Sequence, residues 1–447
     1  MEAHYIARVL DLTDPDANHL IGIDTDEARR RVGSGDTDAV RDIQGSFALV
    51  ARQGEVVRLA RSLDRPLRYF LAKEVAGPML VVADRIDTLK AKLEELGYED
   101  QFHPSYTRMV PAHHVTTLRL VGCPDPSPIH RRFFNPPMGT LPKDLDLIGE
   151  KYVGALLQET RRWLNAQDPN EPLGVLFSGG IDSGAVLLAL HHQLLESGQA
   201  PTRLKAFTLS VQGSDSTDLG EDARQAREFL TSTDLEMLHE IIDVDPSAVD
   251  PMRAVEVIED YKPLDVECAA VGLALLGEIR NRYPEWRLLV DGDGGDENLK
   301  DYPIEENSEL TIRSVVNNPM LYQEGWGVDA VKHSPTYSGG LSRGTVRTYA
   351  PARHFDFQGF SPFTCPDVIQ VAEAIPFREL SEGDHDRLYA LKGEVVRRGF
   401  ARLTGLEFPV FPKRRFQHGA GDEAWAAERF QASRHAYRRH FLNLHAG

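Results

Sequence analysis

Apolar and polar positions alternate along this chain in two different ways. Before about residue 132 the apolar runs are short and separated by turn residues, as in 46–51 and 56–60 with Gln53-Gly54 between them. This pattern predicts β-strands joined by hairpins. After about residue 145, helix-length patterns alternate with short apolar runs. That alternation is typical of a doubly wound parallel sheet, whose ligands bind at the carboxyl ends of the strands.

The predicted elements follow from these patterns. In the first region we expect a hairpin over 46–60, a strand over 79–83 and a helix over 87–96. In the second we expect helices over 147–163, 181–195 and 222–230, and strands beginning at Leu173 and covering 205–210, 237–242 and 287–290. The proline-rich stretch 134–142 between them predicts a linker. The chain is therefore expected to form two α/β domains, 1–134 and 145–447.

Charge and composition exclude several classes of protein. The net charge of −18 over 447 residues disfavours a nucleic-acid partner. The sequence holds no apolar run of membrane-spanning length and no basic stretch with an apolar core at its N-terminus, so we expect a cytoplasmic protein without a membrane partner. Three widely spaced cysteines (Cys123, Cys268 and Cys365) argue against a disulfide framework or a zinc cluster.

The loop Ser178-Gly179-Gly180-Ile181-Asp182-Ser183 stands between a predicted buried strand and a helix. The N–H groups and positive dipole end of such a helix suit an anion such as phosphate, and the two serine hydroxyls add donors. A Walker A loop would need a Lys after its last Gly, and a lipase elbow would need a Gly two residues before the Ser. Composition and spacing leave two interpretations, a phosphate-binding turn and an ordinary strand-to-helix turn.

A second polar loop, Asp291-Gly292-Asp293-Gly294-Gly295-Asp296-Glu297, follows the predicted strand 287–290. Its spacing does not fit a calcium loop. Several carboxylates beside phosphates require a divalent cation, because like charges at short range repel.

The first loop resembles the pyrophosphate loop of ATP pyrophosphatases, and specifically that of the asparagine synthetase and β-lactam synthetase family. The second resembles the family's Gly-Glu-Gly-Ser-Asp-Glu loop. The resemblance implies an adenine nucleotide α-hydrolase-like fold, ATP cleavage between the α- and β-phosphates, and Mg²⁺ bound by Asp182 and Asp296. The residues that it implies for ATP and pyrophosphate are Leu176, Ser178, Gly179, Gly180, Asp182, Ser183, Thr208, Leu209 and Gly292.

Asp293 stands where asparagine synthetases carry Glu and β-lactam synthetases carry a catalytic Tyr. A carboxylate there is a candidate general base for the incoming amine. The family's Gly-Gly-Tyr ending is replaced by Lys300-Asp301-Tyr302, which indicates a remodelled acceptor side.

The C-terminal part carries further similarities. Lys413 begins a Lys-x-x-Phe-x-x-Gly-x-Gly motif like that of the synthetases, which implies that its ammonium stabilises charge on the acyl-adenylate and the oxyanion. Leu388 occupies the place of another phosphate-binding lysine, for which Arg387 and Lys392 are the candidate replacements. Cys365, in a segment similar to Arg-x-Pro-Phe-Leu-Asp, is interpreted as structural. Glu324 and Asp329 are the nearest candidates for the glutamate that pairs with the missing Tyr, and no motif anchors either.

The first region resembles the later part of the family's N-terminal glutaminase domain, through 45–48, 60–69 and 82–84. The resemblance implies an αββα, Ntn-hydrolase-like sandwich. A glutaminase of this type needs Cys directly after the initiator Met, whereas this chain has Glu2. We therefore expect a degenerate domain without glutamine hydrolysis.

Together these similarities predict a glutamine-independent, AMP-forming carbon–nitrogen ligase that uses ATP and Mg²⁺ on a small-molecule carboxylate and amine, as in specialised-metabolite and antibiotic biosynthesis. Three alternatives stay open: an ammonia-using asparagine-type synthetase, a lasso-type peptide macrolactam cyclase, and a non-catalytic adenylate-binding scaffold. A homodimer and a carrier or precursor peptide also remain open, and the sequence does not identify the substrates.

Overall fold

The computed structural model describes residues 5–119, 128–211, 220–301, 304, 310–320, 324, 345–411 and 423–445. Five residues named above lie outside the described residues: Glu2, Cys123, Tyr302, Asp329 and Lys413.

Residues 8–132 form two stacked sheets, which we call the N-terminal sandwich. Its strands are β1 (Arg8–Asp11), β2 (His19–Ile21), β3 (Gln44–Ser46), β4 (Ala48–Gln53), β5 (Val56–Arg61), β6 (Arg68–Ala72), β7 (Met79–Ala83), β8 (Arg108–Met109), β9 (His114–Leu118) and β10 (Ile129–Arg132). Its helices are α1 (Thr25–Ser34), α2 (Thr37–Arg41) and α3 (Ile86–Glu95). In the part of the chain that is described, one sheet has the order β1-β7-β6-β8 and the other β10-β9-β5-β4, while β2 and β3 pair separately.

The layers of the sandwich follow from alternation along its strands. Val57 and Leu59 of β5 meet Leu80 and Val82 of β7 in an apolar layer between the two sheets. Because successive side chains point to opposite faces, the remaining apolar residues are left to cover the outer faces. There α1 packs on β4 and β5, and α3 packs on β6 and β7. The result is the expected four-layer arrangement of helix, sheet, sheet and helix.

The second half of the chain is built on a parallel sheet. Its strands are β11 (Leu173–Leu176), β12 (Leu204–Val211), β13 (His239–Val244), β14 (Leu288–Val290) and β15 (Gln358–Phe360). Among the described residues these five strands have the order β13-β12-β11-β14-β15, with every neighbouring pair parallel. The order reverses between β11 and β14. This is the topological switch point at which open α/β sheets bind their ligands.

Helices cover this sheet. In the first part they are α4 (Leu145–Asn165), α5 (Ile181–Glu196), α6 (Glu221–Ser232), α7 (Pro251–Ile258), α8 (Pro263–Arg282), α9 (Gly295–Leu299) and α10 (Ile312–Asn317). A π-helix (Thr345–Tyr349) runs into α11 (Ala350–His354), followed by α12 (Pro366–Ala374), α13 (Phe377–Ser381), α14 (His385–Thr404), α15 (Glu423–Arg429) and α16 (Arg434–His445). No described helix is long and apolar enough to cross a membrane.

Close packing fixes α14, which borders the switch point. A Cβ atom on Gly149 of α4 would lie 2.6 Å from the carbonyl oxygen of Val395 in α14, and one on Gly399 would lie 2.4 Å from the carbonyl oxygen of Gly149. Since real Cβ atoms do not approach so closely, these two glycines allow the helices to pack backbone to backbone. The position of α14 relative to the sheet is therefore tightly set.

Several elements differ from the predictions, and three of them show the physical reasons. β13 begins at His239 rather than at residue 237, because 236–238 forms a 3-10 turn that buries Leu238 in the core. β15 was not predicted, since a three-residue strand with glycine at its centre has almost no apolar period. α1 was also not predicted. The only side chains larger than glycine that it buries are Ala28 and Val32, and charged residues surround them, so the sequence shows little apolar periodicity there.

Candidate active site

The two polar loops predicted from the sequence meet at the switch point. Residues 177–180 connect β11 to α5, and residues 291–294 connect β14 to α9. Because β11 and β14 are adjacent and parallel, their carboxyl ends bring both loops to the same edge of the sheet.

The first loop is shaped to expose the start of α5. Gly179 has φ +75°, and a Cβ atom there would lie 2.6 Å from the backbone nitrogen of Ala226, so only glycine fits. The hydroxyls of Ser178 and Ser183 lie 3.2 Å apart, and the Ser178 amide donates to the Ser183 hydroxyl at 3.2 Å. Two hydroxyls and the first turn of α5 thus converge on one point, which is the arrangement expected for an anion.

The second loop lies directly against α5. A Cβ atom on Gly292 would lie 2.7 Å from the backbone nitrogen of Ser183, and one on Gly295 would lie 2.1 Å from Oδ1 of Asp182. The absence of these two side chains brings Asp296, in the first turn of α9, beside Asp182.

A lysine from a third element joins the two aspartates. The Nζ atom of Lys392 donates to Oδ2 of Asp182 at 2.6 Å and to Oδ1 of Asp296, and it lies 3.3 Å from Oδ2 of Asp301. The Lys392 side chain is only 4% exposed. Burial by itself would lower the pKa of Lys392, but the three carboxylates outweigh it and hold that pKa well above its ordinary value.

This geometry fits a magnesium ion. Asp182 and Asp296 direct one oxygen each at a single cationic position, which the ammonium of Lys392 fills. Hard carboxylate oxygens are the ligands that Mg²⁺ prefers, with phosphate oxygens and waters completing the octahedron. No group of three or more His, Cys, Asp or Glu side chains in the described ranges forms a self-sufficient metal site.

Asp293 lies on the other side of the same loop. Its Oδ2 atom is buried and has no hydrogen-bond partner within the described structure. Burial raises the pKa of Asp293 to about 6, and Asp296 and Glu297 act in the same direction, while a hydrogen bond from Thr348 and the charge of Arg347 oppose them.

Asp291 stands behind Asp293 and is more deeply buried. Its Oδ1 atom accepts from the Ser361 hydroxyl at 2.7 Å and from the Asp293 amide at 3.0 Å. Burial and the nearby charge of Asp293 raise the pKa of Asp291 well above its ordinary value. Two neighbouring carboxyl groups with raised pKa values are suited to accept and hold a proton.

The remaining predicted ATP residues lie on the neighbouring strands. Leu176 ends β11, and Thr208 and Leu209 lie near the end of β12. The Thr208 hydroxyl donates to the carbonyl of Phe177 at 2.7 Å, and it lies 3.0 Å from Nε2 of His239. These contacts connect the end of β12 to the first loop.

The structure separates the two candidate replacements for the missing lysine. Arg387 is more than half exposed and pairs with Glu382, whereas Lys392 lies in the site. Glu324 lies elsewhere: it pairs with Arg132 of the sandwich at 2.6 Å and with His113 at 3.0 Å. Cys365 is the N-cap residue of α12 and makes no side-chain capping hydrogen bond there.

Cavities of considerable size occur elsewhere in the molecule. One of about 980 Å³ is lined by residues of α10 and α13, and none of the predicted site residues lines it. In the acidic site the ammonium of Lys392 fills the position between Asp182 and Asp296.

Comparison with known families agrees with this site. Residues 165–348 match the family model described as asparagine synthase. This part of the chain is similar to the asparagine synthase family. The family consists of ATP-dependent carbon–nitrogen ligases, so the match supports the ligase prediction in general terms. The asparagine synthase domain contains Asp182, Asp293 and Asp296, while Lys392 lies beyond it in the sequence. No curated protein matches the chain significantly.

Two contributions to the site escaped sequence reasoning. Arg347 and Thr348 approach Asp293 from a segment more than fifty residues away, and no motif marks them. Asp301 stood out in the sequence only as a departure from the family pattern. The sequence signal for Asp301 was that an aspartate replaces the family's glycine five residues after Asp296, a candidate metal ligand.

Proposed function

We propose that this protein is an AMP-forming amide synthetase that adenylates a substrate carboxylate and joins it to an amine. The observation that supports this most strongly is the convergence of Asp182 and Asp296 on one cationic position beside the first turn of α5. An enzyme that forms amides without a nucleotide would not need two carboxylates around one cationic position beside an anion-binding helix terminus.

In the first step the substrate carboxylate attacks the α-phosphate of ATP, and pyrophosphate leaves. Ser178, Ser183 and the amides of α5 bind the departing pyrophosphate. Asp182 and Asp296 would hold Mg²⁺, which would neutralise charge on the phosphates. Lys392 supplies a cation beside the same two carboxylates.

In the second step the amine attacks the acyl-adenylate, AMP leaves and one proton is released. Asp293 accepts that proton, since its pKa of about 6 suits a general base near neutral pH. We assign stabilisation of the oxyanion to Lys413, because this residue begins the motif that is similar to the one in the synthetases.

The amine comes from the substrate rather than from glutamine. A glutaminase of this family type uses a cysteine nucleophile, and the one cysteine in residues 1–134 is Cys123, near the end of that region. We therefore propose a glutamine-independent reaction on small molecules, with the N-terminal sandwich as a degenerate glutaminase-like region.

The test is ATP–pyrophosphate exchange measured over a panel of carboxylates, with and without amines. The panel includes aspartate with ammonium and a linear peptide, so that it separates the small-molecule, asparagine-type and macrolactam alternatives. We expect exchange with at least one carboxylate, and loss of that exchange in Asp182→Asn and Asp296→Asn. Formation of ADP, or full exchange in either variant, would refute the proposal.

Lys413→Ala tests the assignment of the oxyanion cation. We expect ATP binding to persist and product formation to fall about a hundredfold or more, as on removal of an oxyanion stabiliser. Arg414→Ala, which removes the adjacent cation, is the matched control and should keep most of the activity. Similar losses in the two variants would assign the effect to general charge rather than to Lys413.

A further inference from the structure

Residues 345–354 lie between the N-terminal sandwich and the acidic loop, and we call them the connecting segment. The segment consists of the π-helix Thr345–Tyr349 and the short helix α11. π-Helices are rare and occur frequently at functional sites. Neighbouring residues of this segment face two different parts of the molecule.

On one side the segment is held by the sandwich. The Nη1 atom of Arg65 donates to the hydroxyl of Tyr349 at 3.2 Å. Arg65 is 1% exposed and is itself fixed by the carbonyl of Ala17 and by Asp84, 3.2 Å away. Further along, Arg353 pairs with Asp14 of the sandwich at 2.8 Å.

On the other side the segment reaches the acidic loop. Thr348 and Arg347 both lie close enough to Asp293 to oppose the rise in the pKa of its carboxyl group. The Nε atom of Arg347 is held by Oδ1 of the fully buried Asp265 in α8, 2.8 Å away. The backbone of the segment lies close to α8, since a Cβ atom on Gly272 would be 3.4 Å from the carbonyl oxygen of Arg347.

Polar contacts, rather than packing alone, set the position of the segment. A cavity of about 360 Å³ borders Tyr349, Arg353 and His354. The segment therefore borders open space on that side. Thr348 directly precedes Tyr349 in the chain. A displacement of the Tyr349 backbone therefore also moves Thr348 relative to Asp293.

We infer that Arg65 and Tyr349 are positioning residues, through which the N-terminal sandwich holds Thr348 and Arg347 against Asp293. The sandwich then contributes to amide formation without a catalytic residue of its own. The role of Asp293 as general base rests on the proposed function, whereas the mechanical connection from Arg65 to the acidic loop does not.

Hydrogen–deuterium exchange of the full-length Tyr349→Phe variant tests the connection directly. Loss of the hydroxyl should speed exchange about twofold to tenfold in peptides covering 345–354 and 288–299, since it removes a single hydrogen bond. Peptides covering 181–196 should stay unchanged.

Tyr437→Phe is the matched control, because the buried Tyr437 hydroxyl has no partner within the described structure. It should leave both peptides unchanged. Faster exchange in 345–354 with an unchanged 288–299 would overturn the inference. So would a change at 288–299 of the same size in the control.

Partial reactions give the second measurement. With the substrates found in the panel, Tyr349→Phe should reduce amide formation about tenfold, equivalent to one hydrogen bond at the reacting centre. ATP–pyrophosphate exchange should remain at the wild-type rate, which a merely structural defect would not allow. Thr348→Val should show the same split.

The outcomes separate the two proposals. Equal loss of both partial reactions in Tyr349→Phe would reject the positioning role. If wild-type protein shows no exchange with any carboxylate, the proposed function fails, and hydrogen–deuterium exchange still decides whether the sandwich holds the acidic loop.

Discussion

Lys392 is the residue on which the electrostatics of the site depend. Three carboxylates, from Asp182, Asp296 and Asp301, surround its ammonium at the end of a buried side chain. Without a cation between them, charges at such distances repel by several kcal/mol where water is partly excluded. Lys392 therefore makes the acidic cluster compatible with the folded chain.

Replacement of Lys392 by methionine should expose that dependence. We expect Lys392→Met to lose about 3–5 kcal/mol of unfolding free energy in EDTA, the range found when one partner of a buried ion pair is removed. Added MgCl₂ should restore more stability to this variant than it adds to the wild type, as urea unfolding would show. Arg387→Met, on the same helix at an exposed pair, should change stability by less than about 0.5 kcal/mol in either condition. Equal magnesium responses in the two variants would contradict this account.

Asp293 carries a cost in stability that follows from its burial. Its pKa of about 6 in the folded protein lies above the ordinary 3.8. The folded chain therefore binds a proton that the unfolded chain has released. By linkage, stability falls as pH rises through that interval and stays low above it.

Asp293→Asn should be more stable than the wild type and inactive. We expect a gain of about 1–3 kcal/mol at pH 7.5 that disappears near pH 4. Amide formation by the wild type should fall below about pH 6, where Asp293 becomes protonated. Thermal unfolding and product assays across pH measure both effects. The control is Asp100→Asn, at an exposed position. If Asp293→Asn leaves the unfolding free energy at pH 7.5 unchanged or lowers it, burial of the Asp293 carboxylate does not destabilise the folded protein.

At the scale of elements, the site is a contact between a loop and a helix. The loop after β14 lies against the start of α5 only because Gly292 and Gly295 have no side chains. This contact, rather than either loop by itself, brings the two metal-binding candidates together.

A methyl group at Gly292 should separate them. The Cβ atom of Gly292→Ala would lie 2.7 Å from the backbone nitrogen of Ser183, so backbone has to shift. We expect affinity for Mg²⁺ and a non-hydrolysable ATP analogue to fall about tenfold or more, a loss of about 1.4 kcal/mol. Gly154→Ala is the control, since its Cβ atom would make an ordinary contact at 3.7 Å with Leu403. Calorimetric titration with unchanged affinity for Gly292→Ala would show that the loop can move away freely.

The elements also show how far sequence reasoning reaches. Both loops were predictable, because each motif is continuous and follows a recognisable strand. The switch point followed from the alternation of strands and helices. Thr348 was not predictable, because its contact with Asp293 depends on a distant π-helix that no periodicity signals. Lys392 was one of two candidates, and only the orientation of α14 separated it from Arg387.

At the scale of the whole molecule, the N-terminal sandwich is joined to the rest through buried charge. Glu324, 3% exposed, pairs with Arg132 of β10 and with His113, which directly precedes β9. Burial would raise the pKa of Glu324, but the pairs with His113 and Arg132 outweigh it and lower the pKa to about 2.

Glu324→Gln should weaken the contacts of this residue with the N-terminal sandwich, and the loss of stability should depend on pH. Because the folded pKa is depressed, the charged carboxylate stabilises the protein above the unfolded value, and this contribution is lost as pH falls from about 4.5 towards about 2. We expect the variant to lose about 3 kcal/mol or more at pH 7, as a broken buried pair does, and progressively less at lower pH. Glu382→Gln, at an exposed pair, should change little in the same urea titrations. A loss that is independent of pH would assign the effect to packing instead.

The ammonium buried among three aspartates also has a consequence for how the chain matures. A newly synthesised molecule carries its own counter-charge on α14, so its acidic edge can close during folding without drawing on the supply of free magnesium. Under the proposed function, nucleotide and metal therefore compete with an internal cation for the position between Asp182 and Asp296.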